Sequence, residues 1–201
     1  MGPLEQVGEA CRAGIRLIQL RMKEASDEEF LQTAREAMKI CRAWGGRLII
    51  NDRVEVAAAV DADGVHVGQE DMPVREARRL LGEGKIVGGT ANTPEEIRKH
   101  SLGGADYVGV GPFRYTATKK KLSPILGLEG YQRVMQALEA GGMDIPVMAI
   151  GGIGVADVRP LLDAGVYGIA FSGMLVQAAD RVGLVRELEE EMERGVTGIV
   201  R

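Results

Sequence analysis

Short Ile- and Val-rich runs alternate with helix-like stretches along the whole chain, and that alternation leaves few folds open. The strand candidates are Ile15–Arg21, Arg47–Asn51, Gly64–Val67, Lys85–Gly89, Asp106–Gly111, Pro146–Ile150 and Tyr167–Ser172. Most show little polar alternation, the pattern of parallel strands covered on both faces. Apolar residues at three- to four-residue spacing mark helices at Asp27–Trp44, Arg53–Val60, Val74–Leu81, Pro94–Leu102, Leu128–Ala140 and Val155–Ala164. Two further helical stretches lie at residues 4–13 and from about 173 to 193. Ser26 followed three residues later by Glu29 forms a capping box. Thr93-Pro94 puts proline at a first helical position, where its missing N–H costs nothing. Gly165 suits a helix C-terminus.

Strands and helices alternating within one domain imply an all-parallel sheet. The two solutions are an open doubly wound sheet and a closed eightfold barrel. Seven strands and eight helices, beginning on a helix, suggest an α/β fold of the TIM (β/α)8 barrel type that lacks its first strand, with an open sheet still allowed on this count alone. The expectation is a single domain over residues 1–201, with Arg194–Arg201 as a loose terminus.

Composition narrows the function. The 201 residues carry 29 acidic against 25 basic side chains, a net charge of -4, which disfavours nucleic-acid binding by bulk charge. No apolar run approaches the ~20 residues needed to span a bilayer, so no membrane partner is expected. Cys11 and Cys41 have no metal-ligand spacing and read as buried, reduced thiols of a cytoplasmic protein. With 28 glycines and 4% aromatics, glycine should mark places where backbone approaches a neighbour or a ligand.

In a parallel barrel the chemistry gathers at the carboxyl ends of the strands. The first strand candidate ends Gln19-Leu20-Arg21-Met22-Lys23. Alternate residues point the same way, so one amide and two cations, Gln19, Arg21 and Lys23, share a side and suit an anion. The next two strands are followed by Asp52 and by Asp71, with Glu70 as a rival carboxylate. Each aspartate alone is also a plausible helix cap. Together, beside Arg21 and Lys23, they suit Mg²⁺ facing a diphosphate, since Mg²⁺ takes oxygen ligands and keeps waters and phosphates. Gly88-Gly89-Thr90 follows the fourth strand, and Thr116-Ala117-Thr118-Lys119 lies in a lid-like loop after the fifth. Gly151-Gly152 and Ser172-Gly173 end the last two strands, where such barrels frequently bind phosphate through backbone N–H groups. His66 reads as a core residue and His100 as helix surface. Two such histidines build no nucleophilic triad, and no general base is evident.

These segments, in this order, resemble the thiamine-phosphate synthase family: Gln19-Leu20-Arg21-Met22-Lys23, Asn51-Asp52-Arg53, Asp63-Gly64-Val65-His66-Val67-Gly68-Gln69-Glu70-Asp71, Gly111-Pro112 with Thr116–Lys119, Gly127-Leu128, and Ala149-Ile150-Gly151-Gly152-Ile153. The match runs from about Gly14 to Gly173. The resemblance implies an eight-stranded barrel that joins hydroxymethylpyrimidine diphosphate to a thiazole phosphate, releasing pyrophosphate, with Mg²⁺. It implies that Gln19, Leu20, Arg21, Met22, Lys23, Asn51, Thr90 and Lys119 meet the pyrimidine diphosphate. Asp52 and Asp71 would ligate Mg²⁺. Thr116, Ala117 and Thr118 would meet the thiazole partner, and Gly152, Ser172 and Gly173 its phosphate. Arg21, Lys23 and Lys119 would be the catalytic cations.

Two departures stand out. Many members carry His where this chain has Asn92, and the related thiazole tautomerases use that His as an acid/base, which Asn cannot be. The family also opens with a strand, whereas this sequence opens at the first helix, so an upstream strand is expected in the native product. The rivals are a thiazole tautomerase, a non-catalytic phosphate-ligand binder, and another phosphate-binding barrel that needs no metal. Ala57–Val60 and the C-terminal helix are candidate surfaces for a homo-oligomer.

Overall fold

The computed structural model describes residues 1–115 and 124–193. Thr116, Ala117, Thr118, Lys119 and the tail from residue 194 lie outside the described residues. The chain divides into two compact units, Met1–Thr90 with Leu102–Asp106, and Ala91–Ser101 with the chain from Tyr107 onward.

The first unit opens with helix α1 (Pro3–Ala13) and continues through β1 (Leu17–Leu20), α2 (Asp27–Ala43), β2 (Arg47–Asn51), α3 (Val54–Ala59), β3 (Gly64–Val67), α4 (Val74–Leu81) and β4 (Ile86–Ala91). β1 to β4 pair in sequence order and in parallel. The unit therefore winds in one direction with no switch in strand order, as a barrel wall does and a doubly wound sheet does not. α2 shows why these helices form. The Ser26 hydroxyl accepts the Glu29 N–H at 3.2 Å, and the Glu29 carboxylate accepts the Ser26 N–H at 3.1 Å, as the capping-box spacing predicts. Its buried stripe, Phe30, Ala34, Ala37, Met38 and Cys41, follows helical periodicity. Cys11 and Cys41 are both free and buried, as expected.

Strand entries are pinned by aspartates. Asp63 accepts the Leu48 N–H at 2.8 Å, and Asp106 accepts the Val87 N–H at 2.7 Å. Gly64 is demanded by packing: a Cβ there would lie 2.1 Å from the Ile86 carbonyl oxygen. The register places Asn51 beside His66, and His66 beside Gly88, on one face.

The second unit holds α5 (Pro94–Leu102, entered at its proline as predicted), β5 (Tyr107–Val110), α6 (Gly127–Ala140), β6 (Val147–Ile150), α7 (Val155–Asp163), β7 (Gly168–Ala170), α8 (Gly173–Gln177) and α9 (Arg181–Glu193). β5, β6 and β7 also pair in order and in parallel.

Three expectations shift. The C-terminal helix is two helices, because Ala178 adopts an extended conformation after α8. His100 is buried rather than at the surface. Ala57, offered as a contact residue, is packed inside its own unit, while Ala58 and Ala59 are exposed. No helix among the described residues is long and apolar enough to cross a membrane.

Candidate active site

In the first unit, the loops after β1, β2 and β3 bring the predicted cations and carboxylates together. Lys23 Nζ lies 2.5 Å from Asp52 Oδ2. Asp52 turns the chain out of β2 at φ 64°, a left-handed conformation unusual for a residue other than glycine. Its N–H donates to the His66 carbonyl at 2.8 Å, which holds the turn against β3. The Asp71 carboxylate accepts the Gly68 N–H at 2.7 Å, so the loop after β3 folds back toward its own strand.

The two aspartate carboxyls act on each other, and their acidities diverge. Burial opposes the Asp52 charge, yet hydrogen bonds from Lys23 and Asp71, with the charges of Lys23 and Arg21, hold its carboxyl below the ordinary value. Burial, then the hydrogen bond and charge of Asp52, push the Asp71 carboxyl up, against the Gly68 amide. Like charges held this close oppose joint ionisation, so the two carboxyls shift in opposite directions. Lys23 thus sits on Asp52, while Asp71 and the Arg21 charge lie near enough to act on the same carboxylate.

Other predicted residues sit around this centre with differing access. Asn51 and Thr90 are buried, and Thr90 Oγ1 lies 2.9 Å from His66 Nε2. Gln19 is exposed and Leu20 buried on the other face of β1, so Leu20 offers a ligand only its backbone. Arg21 and Lys23 are exposed, Met22 half-buried, and the rival Glu70 exposed.

In the second unit, Gly151 and Gly152 adopt φ 88° and 72° after β6. A Cβ on Gly152 would lie 2.9 Å from Arg114 Cβ, so this turn requires glycine for both conformation and space. The turn is held from outside. Arg114 forms a two-point ion pair with Asp157, its second contact at 2.6 Å, and Asp157 also accepts the Gly154 N–H at 2.8 Å. The Tyr131 hydroxyl, fully buried, donates to the Val110 carbonyl and accepts the Ile150 N–H at 3.3 Å, tying the ends of β5 and β6. Ser172 caps α8 without a side-chain bond, and Gly173 is its first residue. α8 has five residues, so individual amides rather than a long helix dipole are what it presents.

Asn92 donates to the Gly111 carbonyl, and its own N–H goes to Glu96 at 2.6 Å. Sequence reasoning gave no role to Arg114, Tyr131 or Asp157, and quoted Arg53 only as part of the Asn51-Asp52-Arg53 segment. Their signal is weak in a single sequence, because each acts through partners far away along the chain.

The thiamine monophosphate synthase family model matches residues 2–175. The chain belongs to that family. A thiamine-phosphate synthase of Bacteroides fragilis is 50% identical over 179 residues, 89% of this chain and 88% of that protein. Another from Flavobacterium johnsoniae is 41% identical over 193 residues, covering 96% and 91%. Among solved structures, the thiamine phosphate pyrophosphorylase of Pyrococcus furiosus matches with a TM-score of 0.82 at 33% identity, covering 97% of this chain and 91% of that one. The α/β fold is accordingly the TIM-barrel type, and the seven described strands, opening after a helix, agree with a barrel short of its first strand.

Proposed function

We propose that this chain joins hydroxymethylpyrimidine diphosphate to a thiazole phosphate and releases pyrophosphate. As a member of its family it is a transferase of the thiamine-phosphate synthase type, at work in thiamine biosynthesis. The observation that carries the finer reading is Lys23 on Asp52, with Asp71 close enough to act on the same carboxylate.

The donor set fits Mg²⁺. Both side chains offer carboxylate oxygens, and no group of three or more His, Cys, Asp or Glu side chains gathers among the described residues. A site with few protein ligands suits an ion that keeps water and phosphate in its shell. The chemistry a divalent ion supplies there is charge neutralisation on a departing pyrophosphate.

The chain's own residues do the rest in this reading. Lys23 and Arg21 donate to the diphosphate oxygens, and Lys119 adds a third cation. Asn51 and Thr90, buried and polar, fix the pyrimidine end. The Gly152 turn and the Ser172–Gly173 amides receive the phosphate of the thiazole partner, with Thr116, Ala117 and Thr118 beside it. The C–O bond to pyrophosphate breaks, the electron-rich aminopyrimidine methylene carries the positive charge, and the thiazole nitrogen then forms a C–N bond to that carbon, so no proton has to be removed. That fits a site without an evident base and an Asn92 that cannot carry one. The remaining contribution is alignment and exclusion of water.

Incubation with both substrates and Mg²⁺ should give thiamine phosphate by mass spectrometry, with stoichiometric pyrophosphate. Asp52→Ala should lower turnover by roughly 100-fold or more, the scale of losing a preorganised electrostatic partner. Tight binding of both substrates without pyrophosphate release would sink the catalytic reading.

A further inference from the structure

We infer that Arg53 is a positioning residue that straps the Lys23 loop to the strand end carrying Asp52; this rests on the function proposed above. Arg53 follows Asp52 directly, at the entry to α3. Its side chain leaves that turn and reaches back to the loop after β1. Nη2 donates to the Ala25 carbonyl at 2.5 Å, and Nη1 to Asp27 Oδ1 at 2.8 Å. The guanidinium also lies 4.7 Å from the centre of the Phe30 ring, on the buried stripe of α2. The Arg53 side chain keeps only 22% of its exposure, whereas Asp27 keeps 90%.

Two rungs therefore join the loop after β1 to the turn after β2. One is Lys23 on Asp52, and the other is Arg53 on Ala25, Asp27 and Phe30. They respond differently to substrate. An anion that draws Lys23 toward itself, or a cation that draws Asp52, opens the first rung. The second depends on neither group and stays closed. Arg53 thus keeps the Lys23 loop in register while Lys23 changes partner. The strap joins a cationic fork, a carbonyl, a carboxylate and a ring at once, a geometry that a lysine reproduces only in part.

Arg53→Gln tests the strap by two independent readouts. Digestion with a protease that cuts after lysine should release the bond after Lys23 about tenfold faster than in wild type. The bond after Lys39, within α2, is the internal control and should not change. In the complete assay with both substrates and Mg²⁺, kcat should fall about tenfold, the scale of a lost charged hydrogen bond. Arg53→Lys should recover part of both effects, and Asp27→Asn should produce both in weaker form. Unchanged cleavage after Lys23, or cleavage after Lys39 rising in step with it, overturns the strap. So does wild-type kcat in Arg53→Gln. If the wild-type chain itself releases no pyrophosphate, the proposed function fails, and the protease comparison still decides the strap.

Discussion

Gly68→Ala should weaken Mg²⁺ activation without unfolding the protein. Gly68 donates its N–H to Asp71 Oδ2 at 2.7 Å, and a Cβ at this position would lie 2.7 Å from that same oxygen. Ordinary contact begins at about 3.4 Å, so ~0.7 Å must be yielded. The backbone has no need to yield, because Gly68 is not among the glycines with positive φ. The atom in the way is the tip of a short side chain, so the Asp71 carboxylate swings aside instead. A shift of this size is a large fraction of the ~1 Å misplacement that can cost 100-fold. It also strains the amide hydrogen bond that orients the carboxylate proposed to hold the metal, a loss that typically costs 10- to 100-fold in affinity or activity. The assay is the initial rate of pyrophosphate release against Mg²⁺ concentration, with thermal unfolding in parallel. Half-saturation should rise at least about tenfold while the melting temperature moves by only a few degrees. Wild-type Mg²⁺ dependence in this variant would refute the role given to Asp71.

Tyr131→Phe should destabilise the fold by about 1–3 kcal/mol in denaturant titration, since it leaves the Val110 carbonyl and the Ile150 N–H facing a buried carbon. Asp157 should contribute to the acid limb of stability. Its hydrogen bonds from Arg114 hold its folded-state carboxyl below the ordinary 3.8, so its contribution is present above that value and fades as pH falls through the lower one. Asp157→Asn should remove that limb, by under about 1 kcal/mol because Arg114 is 55% exposed, and urea midpoints between about pH 5 and 2 would show it. Burial, followed by the charge and hydrogen bond of Cys11, pushes the Cys41 thiol up to about 12. The neutral thiol is therefore favoured by folding, with stability full below about pH 9 and lost as pH rises toward 12. Native protein at pH 8 should react with an aromatic disulfide at least about 100-fold more slowly than urea-unfolded protein, and complete labelling on mixing would contradict this.

The parallel, singly wound architecture was legible because it rests on local signals: β-branched runs without polar alternation, helical spacing, and caps such as Ser26 with Glu29. The grouping of the candidate residues was legible too. A parallel sheet puts the residue after each strand at one end, so Asp52, Asp71, Arg21 and Lys23 could be gathered from strand ends alone. The break between α8 and α9 was not legible, because Leu- and Glu-rich sequence on both sides favours helix and only packing selects the extended Ala178. His100 was misplaced for a similar reason, since one buried position on an otherwise polar helix leaves almost no periodic signal.

What the sequence determined by itself is which chemical groups stand at the strand ends, because strand period and chain order set that without reference to anything distant. Only the tertiary structure decided how those groups are held and charged. The contact between Asp52 and Asp71, the Arg53 strap, the Arg114–Asp157 brace and the Tyr131 bridge all join residues from different segments. Their energies arise from burial and charge at distances of a few ångströms, which chain order does not encode.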